Sequence, residues 1–141
     1  MQQCNVLLHA DDEVGRWVAS RVPNGFEWVN GTGTGIGFTL GEKLIAGAVF
    51  FRYNGASCEI GFASDDPRWM TRDNFWRVFH YAFEYLNLKR LTSITDASNL
   101  ASRKLNESLG FVHEATLKDA AIDGDQLVYV MMRRACKWLM H

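Results

Sequence analysis

Proline, cysteine and net charge are what the 141-residue sequence has least of, and each scarcity excludes something. Its three cysteines, Cys4, Cys58 and Cys136, are odd in number and far apart, with no Cys-x-x-Cys pair and no Cys/His cluster. Neither a disulfide framework nor a zinc site is expected, no metal is called for, and a reducing, cytoplasmic setting suits the thiols. A net charge of -1 gives no overall positive field, so nucleic acid is not indicated by charge and only a local basic patch is left open. The first residues lack a basic start and a long apolar run, and no stretch reaches the roughly 18 apolar residues of a membrane span. No membrane partner or export signal is expected, and the sequons at Asn30 and Asn106 read as coincidence. What is abundant is aromatic: five Trp and nine Phe within 48% hydrophobic residues imply one large, ring-rich core. The length fits a single domain over residues 1–141.

Val14, Trp17, Val18 and Val22 fall at helical spacing after Asp11 and Asp12, predicting a short helix ended by Pro23-Asn24-Gly25. The glycines at 31, 33, 35 and 37 read as a flexible approach to a strand over Ile36–Leu40, since they fit no nucleotide-loop pattern. Gly41-Glu42-Lys43 turns into a second strand, Leu44–Tyr53, and Asn54-Gly55 predicts a two-residue hairpin to a third, Ser57–Ser64. That third strand alternates: Cys58, Ile60 and Phe62 on one face, Ser57, Glu59, Gly61 and Ala63 on the other. A long helix is predicted from Thr71 to Leu86 on the stripe Phe75, Phe79, Phe83, followed by a strand Lys89–Asp96. Strand, helix and strand make a crossover with parallel strands. Asn99–Leu109 is a further helix with Gly110 at its C′ position, and Phe111–Leu117 and Gln126–Arg133 close a hairpin around Asp123-Gly124. The fold class is therefore α+β: a mixed, mostly antiparallel sheet with a central βαβ crossover and helices on both faces.

Ligands of open α/β sheets sit beside the N-terminus of the crossover helix, where free N–H groups favour anions. Here that is Ser64 to Asn74, with Arg68 and Arg72 available to an anion and Asp65, Asp66 and Asp73 partly cancelling them. A merely capped helix start is the competing reading. The small face of the third strand favours a ligand, because nothing bulky obstructs its backbone. Trp69 would stack on a ligand or anchor the loop in the core, and Cys58 reads as buried rather than nucleophilic. His9, His80, His113 and His141 have no metal spacing, His80 is expected to pair Glu84, and Arg133, Arg134 and Lys137 read as a solvated end around Trp138.

Glu59-Ile60-Gly61, Tyr81-Ala82-Phe83, Asn99 with Ser102, Leu109-Gly110-Phe111, Glu114 and Asp123-Gly124 occur in order and at telling intervals. In these pieces the chain resembles the GNAT superfamily of acetyl-CoA-dependent N-acetyltransferases, closest to its ribosomal-protein N-terminal acetyltransferase branch, over roughly Leu44 to Arg133. The resemblance implies a GNAT-like fold and direct acetyl transfer from acetyl-CoA to a primary amine: a protein N-terminus, a small amine or another macromolecular acceptor. A homodimer is admitted by it. Glu59 is implied as general base, through water, and Ser102 as donor to the leaving sulfur. The implied acetyl-CoA contacts are the backbone of Phe62, Ala63 and Ser64, the loop Arg68, Trp69, Met70, Thr71, Arg72, Asp73 and Asn74, and Asn99 and Ser102 on the later helix.

Two departures stand out. The family's Arg-x-x-Gly-x-Gly/Ala loop has no glycine here: Trp69 and Thr71, or Thr71 and Asp73 by the other count, occupy those positions and crowd a phosphate. The upstream region has room for one helix rather than two, giving an open acceptor side. A degenerate member that binds without catalysis is the alternative that the missing glycines favour.

Overall fold

The computed structural model describes residues 3–22 and 26–139, so the helix stop at Pro23-Asn24-Gly25 and His141 lie outside the described residues. Its strands are β1 (Cys4–Leu7), β2 (Gly33–Leu40), β3 (Lys43–Phe51), β4 (Ser57–Ser64), β5 (Arg90–Asp96), β6 (Val112–Ala121) and β7 (Gly124–Met132). The α-helices are α1 (Asp11–Ala19), α2 (Arg72–His80) and α3 (Leu100–Leu109). They build one seven-stranded sheet in the order β1-β2-β3-β4-β5-β7-β6. Neighbours run antiparallel except β4 and β5, which α2 joins as a parallel crossover.

Helices cover both faces. Phe75, Val78 and Phe79 of α2 and Leu109 of α3 bury against Phe38, Ile45, Ile60, Leu91 and Tyr129. On the opposite face Val14 and Val18 of α1 pack on Val49 and Ala63. With nine residues α1 is too short to persist alone, and burying its two valines, worth about 1.5–3 kcal/mol each, is what holds it.

The glycine-rich stretch is strand rather than a flexible approach: β2 begins at Gly33. A Cβ on Gly37 would come within 2.8 Å of Leu44 and 3.0 Å of Val14, and one on Gly47 within 2.9 Å of Val18. These glycines let α1 lie close on the sheet. Asp11 and Asp12 do more than meet the helix dipole: Asp11 Oδ1 accepts from Gly35 N, and Asp12 Oδ1 accepts from Trp28 Nε1 and Gly31 N.

Three further expectations change. The turn after β3 spans Arg52–Ala56 rather than two residues, with Arg52 at φ 55° and Asn54 Oδ1 accepting from Ala56 N and Ser57 N. The long helix is α-helical only to His80 and continues as a π turn, Tyr81–Tyr85, in which Leu86 N donates to Tyr81 O. His80 stacks on Trp76, while Glu84 pairs with Arg133.

Candidate active site

Pairing between β4 and β5 stops early. The registered partners are Ser57 with Arg90, Cys58 with Leu91 and Glu59 with Thr92, although each strand runs on for several residues. From Ile60 onward β4 keeps its hydrogen bonds to β3 alone, and β5 stays joined to β7 as far as Asp96. The two strands therefore part into a wedge that opens toward the start of α2.

Alternation decides which groups line it. Asp65 N donates to Ile45 O, so in the antiparallel register Ala63 and Gly61 also turn their N–H groups to β3. Phe62 and Ser64 turn theirs into the wedge. Of the Phe62, Ala63, Ser64 backbone set expected from the sequence, Ala63 is the one that faces away. Its side chain is buried under α1, and Phe26 lies about 3.5 Å from where a Cβ of Gly61 would be. The small face of β4 is thus covered at Gly61 and Ala63 rather than open.

Glu59 stands at the point of separation, on the α1 side of the sheet, with its side chain 17% exposed and one oxygen 2.5 Å from Arg52 Nη1. Phe51, its register partner, stacks on Phe26 at 5.1 Å, so the carboxylate sits at the edge of an aromatic shelf. Across the sheet Asn99 caps α3, its Oδ1 accepting from Ser102 N at 3.1 Å, and Gly110 ends the helix at φ 103°. Capping occupies the Asn99 carbonyl. Glu114 is engaged too, bidentate with Arg90, whose guanidinium holds its carboxyl below the usual range.

The loop before α2 spends its polar groups on itself. Arg68 N donates to Asp66 Oδ1, Met70 N to Pro67 O, Thr71 N to Trp69 O and Asn74 N to Thr71 Oγ1. Arg68 is forked onto Asp66 at 2.7 Å, which drives the Asp66 carboxyl down to about 2. Asp65 is held by Arg21 at 3.0 Å. The Trp69 ring is fully buried between Phe38 and Phe75, with Nε1 donating to Ser64 Oγ, so it anchors the loop and cannot stack on a ligand. Asn74 is buried as well, its Nδ2 donating to Trp69 O. Arg68, Met70, Thr71, Arg72 and Asp73 are the exposed positions of that set. A groove of about 640 Å³ opens beside the loop, lined by Leu40, Glu42, Lys43, Ile45, Asp65, Asp66 and Arg68.

Cys58 is buried, and desolvation, with the Glu59 charge second, pushes its thiol up to about 12, which excludes it as a nucleophile. Among the described residues no group of His, Cys, Asp and Glu could hold a metal, and no helix is long and apolar enough to cross a membrane. The charged end is no loose tail: Arg133 donates to Phe83 O, Asn87 and Glu84, and Trp138 Nε1 donates to Leu109 O. Sequence reasoning missed Arg52, whose partnership with Glu59 needs a five-residue turn to bring it round.

The architecture is shared with solved acetyltransferases. The spermidine N-acetyltransferase of Vibrio cholerae, in complex with CoA and spermine, superposes with a TM-score of 0.73 at 14% identity, over 94% of this chain and 97% of that one. A structure described as a probable acetyltransferase gives 0.70 at 16% identity over 95% of both chains. At these identities the likeness is one of fold. No curated protein sequence matches the chain. The acetyltransferase (GNAT) domain model, however, matches residues 5–112, and with most of its length inside that match this chain belongs to the GNAT acetyltransferase family.

Proposed function

We propose that the protein is an acetyl-CoA-dependent N-acetyltransferase that acts on a primary amine by direct transfer. The observation that carries this reading is the early parting of β4 and β5, with Glu59 at its apex and the Phe62 and Ser64 N–H groups on its wall. From Glu59 to Ser64 is roughly 17 Å of strand, a length that suits a carrier with its anion at one end and its reactive group at the other. The GNAT family and the amine-acetylating neighbour support the same class.

Bound acetyl-CoA would supply a thioester whose leaving thiol, with a pKa of about 8.5, departs without strong acid help. The protein's part is proton handling and alignment. An amine that arrives as its ammonium form must lose a proton before it attacks, and Glu59 accepts it through water. The Arg52 guanidinium rests on that carboxylate, so the acceptor meets Glu59 by displacing or sharing it. Phe62 and Ser64 N–H groups would receive the thioester carbonyl. Ser102, Asn99, Arg72, Asp73 and Met70 complete the carrier side, with Ser102 as the donor to sulfur. The acceptor, whether a protein N-terminus, a small amine or another macromolecular amine, lies on the α1 side. The motif resemblance would put the chain with the ribosomal-protein N-terminal acetyltransferases, which favours a protein N-terminus among these acceptors.

One observation favours a second reading, a binding module without turnover: the loop N–H groups that a phosphate would use at Arg68, Met70, Thr71 and Asn74 are already taken. The two readings separate in one experiment. Acetyl-CoA at millimolar concentration should raise the unfolding midpoint, and thiol release should follow when amines are added. A raised midpoint without thiol release across N-terminal peptides, polyamines and small amines selects the binding module. No shift at all rejects the acetyl-CoA site.

A further inference from the structure

The chain already seats one cation beside Glu59. The Arg52 guanidinium has Nη1 2.5 Å from the Glu59 carboxylate and Cζ 5.6 Å from the centroid of the Phe51 ring, and the Arg52 side chain is 72% exposed. A carboxylate at the rim of an aromatic ring holds an organic cation through the ion pair and the ring's negative face together. Being exposed, Arg52 can leave without opening the core.

Apolar groups flank that seat. The Phe26 ring stacks on Phe51 and covers Gly61, the next residue of β4 on the face that carries Glu59. Across the wedge Thr92 is the register partner of Glu59, and two residues further on the same face stands Ile94, 38% exposed and paired in register with Val128 of β7. Phe26 on the β4 side and Ile94 on the β5 side thus border the gap next to the carboxylate. The neighbouring charges of this face are engaged: Arg90 forks Glu114, and Asp96, beyond Ile94, accepts from Gln126 Nε2. The cleft is open at its far side. α1 packs on β2, β3 and β4, while Val112 and Leu117, on the same face of β6 by register, are 64% and 42% exposed. Sites for small ligands enclose them; this one leaves room for a chain to continue.

We propose that Phe26, Phe51 and Ile94 select the acceptor, and that it is a polypeptide N-terminus whose first residue carries a large apolar side chain. Its α-ammonium comes to Glu59 in place of the Arg52 guanidinium, its first side chain lies between Phe26 and Ile94, and the rest of the chain runs out over the uncovered face. This rests on the acetyl-transfer reading above and narrows its acceptor. One ammonium meets one carboxylate here, whereas a polyamine would set its further charges against the apolar border.

The test follows thiol release with peptides that share one tail and begin with Phe, Leu, Ala or Gly, and with spermidine and 2-phenylethylamine beside them. The kcat/KM for the Phe and Leu peptides should exceed that for the Gly peptide at least about tenfold, a discrimination within reach of an apolar pocket. Phe26→Ala and, separately, Ile94→Ser should each lower the Phe-to-Gly ratio about threefold or more, with the calorimetric Kd for acetyl-CoA unchanged. Both peptides are read on the same protein, so a loss of folded enzyme cancels from the ratio. If Phe26→Ala does not fold, Ile94→Ser, at an exposed position, decides alone. A flat profile across first residues overturns the proposal, as does a ratio that Ile94→Ser leaves unmoved. Better use of spermidine or of 2-phenylethylamine than of the Phe peptide also overturns it, in favour of a polyamine or a free apolar amine. No thiol release from any of these amines defeats acetyl transfer itself, and this inference falls with it.

Discussion

At the scale of single residues, Glu59 is distinguished by position more than by chemistry. It is the carboxylate at which two parallel strands cease to pair, and Arg52 covers it from a turn where its own backbone is in the left-handed region, φ 55°. A positioned base contributes on the order of 10²–10⁴ in rate. Glu59→Gln, nearly isosteric, should therefore lower kcat at least about 100-fold while the calorimetric Kd for acetyl-CoA stays where it was. An equal loss in both would make Glu59 part of the carrier site instead. Arg52→Ala should act oppositely on the acceptor, lowering KM for a cationic amine by relieving competition at the carboxylate. The thiols offer a separate check of burial. Cys58 and Cys136 are sealed and their pKa values raised by desolvation, whereas Cys4 is half-buried. An aromatic disulfide reagent at neutral pH should titrate Cys4 alone in the native protein and all three thiols in guanidinium. Rapid native reaction of a second thiol would contradict the packing under β4 or that of the C-terminal segment.

At the scale of elements, the 133–139 segment acts as a clasp on helix ends. Arg133 ties the carbonyl of Phe83 and the side chains of Asn87 and Glu84 together at the close of the π turn. Five residues on, Trp138 packs edge-on against Phe75 at 4.8 Å and bonds Leu109 O at the end of α3. Trp138→Ala removes a large ring from the junction of α2 and α3 and should cost about 3 kcal/mol in urea unfolding. A loss below about 1 kcal/mol would return the segment to the status of a solvated tail. Nothing local in Arg133, Arg134 and Lys137 announces this, because the partners lie some fifty residues upstream. The same reason hid the nature of the glycine run: Gly37 and Gly47 are small to admit Val14 and Val18, a long-range fact that a local reading turns into flexibility. What the sequence did make legible was local. Ser57–Ser64 was readable to the residue from its alternation and Asn99 and Gly110 from capping chemistry, whereas Glu59 was singled out as a base through the family resemblance and that role remains a proposal. The internal bonding of the loop before α2 was not legible, since which N–H groups it spends on Asp66, Pro67 and Trp69 depends on folding the Trp69 ring into the core.

At the scale of the whole molecule, the sheet has α2 and α3 on one face and α1 on the other, and the proposed function would put the carrier on the first, the acceptor on the second and the wedge between them. Three carboxylates tether pieces of this frame. Asp12, kept below its usual range by hydrogen bonds from Trp28 and then Gly31, pins the 28–31 segment to α1. Glu114, lowered by Arg90, ties β6 across β7 to β5. Asp66, at about 2 through its fork with Arg68, shapes the loop at the wedge mouth. All three have folded-state pKa values depressed below their unfolded ones, so their contribution is complete above the ordinary carboxylate range and is lost as pH falls through the folded values. The unfolding midpoint should accordingly be flat from neutrality to about pH 5 and then fall between about pH 4 and 2. These groups are exposed, so each tether is individually modest and weakens in salt. Asp12→Asn with Glu114→Gln should lower the midpoint at pH 7 and flatten its dependence on pH, bringing the two proteins together at pH 2. If the double variant kept the full acid slope, the pH dependence would have to arise elsewhere, and the 28–31 segment would owe its position to Trp28 packing rather than to Asp12.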